Sequence, residues 1–237
     1  TALGGFLAAS TTDLIQSCVM TIALVVVLCF GVNVAGGLDA VVQNAQTLPG
    51  YLAMNASYDA ASNAAVPYGP LTIVSTLAWG LGYFGMPHIL LRFMAIENEQ
   101  KLTTSRRVAT VWVVISMFIA VLIGMVGLGM TNVGALPVLE GSASETVIVQ
   151  ISSLMAEHGV LLALAAGVTL AGILAATMST ADSQLLAASS SVSKDLMWGV
   201  FKVKMTEKQS MLIARSTLLV IAAIAIILAR DPDSSVF

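Results

Sequence analysis

Apolar runs of helix length, uncharged but for Arg215 near the start of the last, alternate along this chain with short stretches that hold the Pro, Asn and Gly clusters and nearly all the charge. The runs lie near 14–32, 68–91, 108–130, 159–181 and 211–229. Each supplies the roughly 20 residues that a helix needs to cross a hydrocarbon core of about 30 Å. The pattern predicts an all-α membrane protein with about five transmembrane helices, forming a single transmembrane domain over residues 1–237. A soluble helical bundle with so many uncharged faces would aggregate. Between the first two runs, residues 38–46 read as a short surface helix.

Composition agrees: 57% of residues are hydrophobic and 10% charged, against about a quarter charged in ordinary soluble domains. In such a protein the placement of charge matters more than its sum. Of the ten basic residues, Arg92, Lys101, Arg106 and Arg107 follow the second run, and Lys194, Lys202, Lys204, Lys208 and Arg215 follow the fourth. The stretches 33–67 and 131–158 hold Asp39, Asp59, Glu140, Glu145 and Glu157 but neither Lys nor Arg. The positive-inside rule therefore places the basic loops 92–107 and 194–215 in the cytoplasm and the other two outside, in a multi-pass protein of the plasma membrane. The opening TALGGFLAAS carries no basic leader, the closing DPDSSVF no terminal signature, and the chain reads as an internal piece of a longer membrane protein. Cys18 and Cys29 fall in one run, about 16 Å apart along a helix, and read as packing residues beyond disulfide reach.

The stretch WGLGYFGMPH, 79–88, places Gly80, Gly82 and Gly85 in the spacing of a dinucleotide fingerprint, and Glu99 follows at a suitable distance. A dinucleotide fold needs a parallel sheet built of alternating strands and helices, whereas these glycines interrupt an apolar run of helix length. The glycines and Pro87 predict a helix break instead, because each Gly costs about 1 kcal/mol relative to Ala and interior Pro about 3. Backbone groups freed within a bilayer must line a cavity or be covered by protein, so the break marks a binding site flanked by Trp79 and Tyr83.

The fourth run continues as GVTLAGILAATMSTADSQLLAASSSVSKD, increasingly polar toward its inner end. Helical spacing aligns Gly172, Ala176, Ser179, Ser183, Ala187 and Ser190 in one stripe, with Thr180 beside it. Hydroxyl and carbonyl oxygens there are hard ligands suited to an alkali cation. Ser189, Ser190, Ser191 and Ser193 read instead as hydroxyls bonded back to the preceding turn. Asp13 and Asp182 stand near the ends of apolar runs, where an ionisable residue marks a cation-binding candidate. His88 and His158 have no partners at metal-ligand spacing and read as polar-edge or loop residues.

LAWGLGYFGMPHILLRFMA and GILAATMSTADSQLLAASS, with the basic SRRVATVW helix start between them, resemble the sodium:solute symporter family, and its bacterial sodium/proline members above all. The resemblance implies a leucine-transporter-type fold of two inverted five-helix repeats with broken helices. This chain would supply the last helix of repeat one and four helices of repeat two. By the same resemblance Ala176, Ser179 and Thr180 bind sodium, and Asp13, Asp182 and Ser183 form a second cation site. Trp79, Tyr83 and Pro87 would line the substrate pocket around the break at Gly80, Gly82 and Gly85. Members of the family often carry Gln at the position of Met86 and Trp at that of Thr11.

The implied activity is sodium-coupled symport of a small organic solute, L-proline first, by alternating access. Pantothenate or another solute is the nearest alternative, and a non-transporting channel or sensor on the same fold is a further one. The partners implied are the solute, sodium, the lipid bilayer and the missing helices of the parent chain, with no nucleic acid. Without an acid, His or Cys cluster at catalytic spacing, the chain is not expected to be an enzyme or to need a cofactor besides the coupling Na+.

Overall fold

The computed structural model describes residues 5–59, 62–83, 85–139, 141–203 and 205–230. Glu140 and Lys204, which contribute to the charge pattern above, lie outside the described residues, as does the closing DPDSSVF. The chain is mostly helical: α1 Gly5–Val34, α2 Leu38–Thr47, α3 Pro70–Tyr83, α4 Pro87–Met94, α5 Glu99–Asn132, α6 Val147–Glu157, α7 Val160–Ser190 and α8 Glu207–Leu228. A 3₁₀ segment, Gly141–Thr146, leads into α6, and a π-helical segment, Ser191–Val200, extends α7. Among the described residues, four helical stretches are long and apolar enough to cross a bilayer: Phe6–Val34, Glu99–Asn132, Val160–Val200 and Glu207–Leu228.

The remaining apolar run, 68–91, is not one helix. It is divided into α3, of 14 residues, and α4, of 8, each shorter than a spanning helix needs. Gly80 and Gly82 are helical residues of α3, so the interruption falls after Tyr83 rather than at those two glycines. Two glycines in a 14-residue helix weaken it by about 2 kcal/mol in total, which neighbouring apolar residues tolerate. Pro87 is different, because its ring removes a hydrogen bond and clashes with the preceding turn. It opens α4 at the first position, where the missing N–H costs nothing.

The chain divides into two compact units. One comprises residues 16–83 and 96–175 and contains the apolar core. Val27 of α1, Val41 of α2, Ile123, Val126 and Met130 of α5, and Ile151 and Met155 of α6 are all 2% exposed or less. Small residues let these helices approach closely, as membrane helices do in the absence of a hydrophobic drive between them. A Cβ on Gly31 would lie 2.5 Å from Val126 Cγ1, and one on Gly172 3.2 Å from Ala23 Cβ. Gly31→Val is therefore expected to destabilise the protein by about 1–3 kcal/mol through overpacking. Thermal unfolding of the detergent-solubilised protein reads this, and an unchanged midpoint would mean that α1 and α5 separate at no cost. Trp112 Nε1–H also ties α5 to α1 by donating to Thr21 Oγ1 at 3.1 Å.

α6 lies within 131–158, a stretch that the charge pattern assigns to an outer connection. Its VIVQISSLMAE sequence buries Ile151, Ser152 and Met155, spaced for one helical face. The other stretch that the charge pattern assigns outside, 33–67, holds α2, which matches the short helix expected at 38–46 but buries Val41 and Ala45 instead of lying free on the surface. It also holds a two-stranded antiparallel hairpin, β1 Ala56–Asp59 with β2 Ala64–Pro67, in which Ala56 pairs Pro67 and Asp59 pairs Ala64. Periodicity gave no sign of so short a hairpin. His158 Nδ1 lies 2.8 Å from Leu154 O, and the ring packs edge-on against Phe30 with centroids 5.5 Å apart. That is a helix-end role, as its lack of ligand partners implied.

The second unit comprises the described residues within 1–15, 84–95 and 176–237. It holds the first turns of α1, all of α4, the C-terminal half of α7, the π-helical segment and α8. Thr206 and Gln209 cap α8 reciprocally, each side chain accepting a backbone N–H of the other. Ser189 Oγ donates to Leu186 O at 3.0 Å and Ser193 Oγ to Ser190 O at 3.3 Å, the back-bonding expected of them. The apolar window of α8 has no buried residue, so lipid or further protein must cover it.

Candidate functional site

α4 is short but strongly positioned: Met86 O accepts from the N–H groups of Ile89 and Leu90, and Pro87 fixes the first turn. His88 and Arg92, four residues apart, therefore lie on one face of α4. α1 brings Asp13, and α7 brings Ser183, one turn beyond Ser179. These residues meet. Arg92 Nη2 donates to Asp13 Oδ2 at 2.6 Å and to Ser183 Oγ at 2.8 Å. Ser183 Oγ in turn donates to Ser179 O at 3.0 Å.

The electrostatics are those of a partly buried ion pair. The Asp13 side chain is 14% exposed and that of Arg92 48%. A carboxylate so far withdrawn from water needs a counter-charge or several hydrogen bonds, and the guanidinium supplies one. The other carboxylate oxygen, Asp13 Oδ1, is buried without a hydrogen-bond partner. A small cleft of about 10 Å³ opens beside the pair, lined in part by Ala9, Asp13, His88, Arg92, Ser183 and Leu186. That is about the room one water molecule or one small ion requires.

Of the residues expected to hold cations, Asp13 and Ser183 are brought together, with Arg92 between them. Asp182 is half-buried on α7 and does not line the cleft, because one residue along a helix turns the side chain by about 100°. Ala176, Ser179 and Thr180 share a face of α7 at helical spacing. Ala176 O accepts from Thr180 Oγ1 at 3.4 Å, a bond long enough to be weak. The oxygens on this face are hard donors of the kind sodium takes. Trp79 and Tyr83 are exposed, at 68% and 55%, on α3 in the first unit, whereas Pro87 and Gly85 belong to the second.

Arg92 is a site residue that charge counting does not single out. The charge pattern reads 92–107 and 194–215 as basic loops, but Arg92 is a residue of α4, Lys101, Arg106 and Arg107 are residues of α5, and Lys208 and Arg215 are residues of α8. The non-helical connection between α4 and α5 is only 95–98. One signal could have found it: Arg92 and Asp13 carry opposite charges at the ends of apolar runs, and a charge near hydrocarbon seeks a partner. Among the described residues, no group of three or more His, Cys, Asp and Glu side chains could hold a metal ion.

The model of the sodium:solute symporter family matches residues 1–237. The chain belongs to this family. The family is one of transporters rather than enzymes, and its name couples a solute to sodium. With its several apolar helices, the chain is part of a multi-pass membrane protein. It is 35% identical over its whole length to the osmoregulated proline transporter OpuE of Bacillus subtilis, of which it covers 44%. It is 36% identical to a sodium/proline symporter of Haemophilus influenzae, covering 45% of it, and 35% identical to sodium/proline symporter 2 of Staphylococcus saprophyticus, covering 43%. The chain thus spans somewhat less than half the length of these relatives. No solved structure matches it.

Proposed function

We propose that the full-length parent is a sodium-coupled symporter of a small organic solute, L-proline first, that works by alternating access. The observation that carries this reading is the likeness to proline carriers along every residue of the chain. The interruption between Tyr83 and Pro87 supports it. Freed backbone groups at such an interruption need a polar partner, and membrane transporters place solute and ion at helix breaks.

In this mechanism sodium binds the oxygen face of Ala176, Ser179 and Thr180 on α7, completed by a helix that this chain does not supply. Trp79, Tyr83 and Pro87 contact the solute. Sodium raises solute affinity and the solute raises sodium affinity by the same factor, typically worth 1–3 kcal/mol. The membrane potential adds about 2.3 kcal/mol per charge per 100 mV to inward movement. The charge pattern then places the connection between α4 and α5 on the cytoplasmic side.

The test is uptake of a panel of labelled solutes, proline and pantothenate among them, by the full-length parent in proteoliposomes under a sodium gradient. Proline uptake that requires sodium, and that accelerates when proline is preloaded inside, is the expected result. Uptake without acceleration would indicate a channel, and indifference to sodium would remove the symport reading. Tyr83→Ala is expected to weaken proline binding about tenfold, the loss of one aromatic contact and its polar edge, with a much smaller effect on sodium. Equal weakening of both, measured as half-saturating concentrations, would assign Tyr83 a structural role only.

A further inference from the structure

We propose that Arg92 is a tethered cation: its guanidinium occupies an alkali-ion position formed by Asp13 and Ser183, and so keeps mobile sodium out of it. The proposal rests on the symport reading for its role in transport, but the occupancy itself rests on the geometry.

Asp13 Oδ2 and Ser183 Oγ lie 2.6 and 2.8 Å from a single nitrogen, Arg92 Nη2. One carboxylate oxygen and one hydroxyl oxygen converging on one point make the hard-donor arrangement that a small monovalent cation takes. Ser183 reinforces it. Its hydroxyl proton is committed to Ser179 O at 3.0 Å, so the lone pairs of Oγ face the guanidinium. The position is also under-filled. Asp13 Oδ1 is buried with no partner, and the adjoining cleft has about 10 Å³ of space. Removal of Arg92 would therefore leave two carboxylate oxygens, a serine hydroxyl and room for one ion. The other polar groups lining the cleft are Ser10 and His88.

Arginine suits the role because it remains charged at any physiological pH. Dissolved ions compete poorly with a cation that is covalently held nearby, since its effective concentration is high whenever its tether reaches. The Arg92 side chain is 48% exposed, yet its Nη2 reaches the 14%-exposed carboxylate of Asp13 at 2.6 Å. Asp13 thereby keeps its counter-charge through a transport cycle without drawing on sodium from solution. Sodium is left with the face of Ala176, Ser179 and Thr180.

Two measurements on the full-length parent test this, one dependent on transport and one independent of it. In proteoliposomes, the Hill coefficient for sodium in proline uptake is expected to be about 1 for the parent and to approach about 2 in Arg92→Gln, since the coefficient is bounded by the number of sites. Arg92→Lys, which retains the charge, should behave as the parent does. Arg92→Gln with Asp13→Asn, which leaves no orphaned charge, should return to about 1. In detergent, at constant ionic strength set with potassium or choline chloride, sodium should raise the melting temperature of Arg92→Gln more than that of the parent. The additional shift should vanish in the double variant.

A parent coefficient near 2 that falls to 1 in Asp13→Asn would overturn the proposal, because sodium would then reach Asp13 despite Arg92. Equal sodium-induced shifts in the parent, Arg92→Gln and the double variant would overturn it as well. Uptake indifferent to sodium in the parent would instead remove the symport reading, and the melting shifts would still decide whether the Asp13 position accepts an ion once Arg92 is gone.

Discussion

Replacing Gly85 and Pro87 together by alanine is expected to lower sodium-driven uptake by the full-length parent about a hundredfold or more, with its amount in the membrane little changed. The expectation follows from what separates α3 from α4. Continuing one helix through this stretch would cost about 3 kcal/mol for an interior proline and about 1 for a glycine, relative to alanine. Removing both penalties shifts the balance toward a single continuous helix by about 4 kcal/mol, or roughly a thousandfold in population. Fusing α3 with α4 would pair the backbone groups proposed to face solute and would leave no irregular chain to line a cavity. Uptake at the parental rate, with surface labelling to confirm equal amounts of protein, would show that transport does not need the interruption.

Thr180→Ala in the same parent is expected to raise the sodium concentration for half-maximal uptake about tenfold to a hundredfold. Thr180 Oγ1 sits on the oxygen face of α7, and its bond to Ala176 O is 3.4 Å long. Little is lost from the helix when the hydroxyl turns toward an ion. The net worth of a hydrogen bond or similar contact to a charged group is about 1.5–3 kcal/mol, and each 1.4 kcal/mol is a factor of ten. Helix stability should hardly change, since alanine is the better helix former. Maximal proline uptake at saturating sodium should therefore stay close to the parental value. Unchanged sodium dependence would take Thr180 out of the ion site, and loss of protein from the membrane would mean that its hydroxyl serves folding.

The two variants probe features of different legibility. The stripe of Ala176, Ser179, Thr180 and Ser183 is visible in the sequence because helical periodicity alone aligns residues spaced by three and four. The interruption near Pro87 is visible because proline lacks an N–H whatever its surroundings. Its position was only approximately legible: Gly80 and Gly82 weaken a helix without ending one, and α3 runs through both to Tyr83. The four long apolar helices were legible from length and hydropathy, because a bilayer imposes the same requirement on every segment that crosses it.

What hydropathy could not supply were features created by contact. α6 is hidden between apolar runs because its 11 residues are too few to register as a membrane span, although its apolar face completes the core of its unit. The hairpin at 56–67 exists through pairing between strands of four residues each, which carry little periodic signal of their own. Arg92 is the clearest case. In the sequence it is one more basic residue at the end of an apolar run, and the positive-inside rule counts it with its neighbours.

The sequence by itself determined the class of this protein, its apolar helices, the polar face of α7 and a break beside Pro87, since each depends on the chemistry of residues close together in the chain. Only the tertiary structure decided that Asp13, Arg92 and Ser183 share one site. They are separated by 79 and 91 positions, and no local periodicity links residues so far apart. Their meeting follows from the packing of α1, α4 and α7, which buries a carboxylate and brings a guanidinium against it to offset the cost.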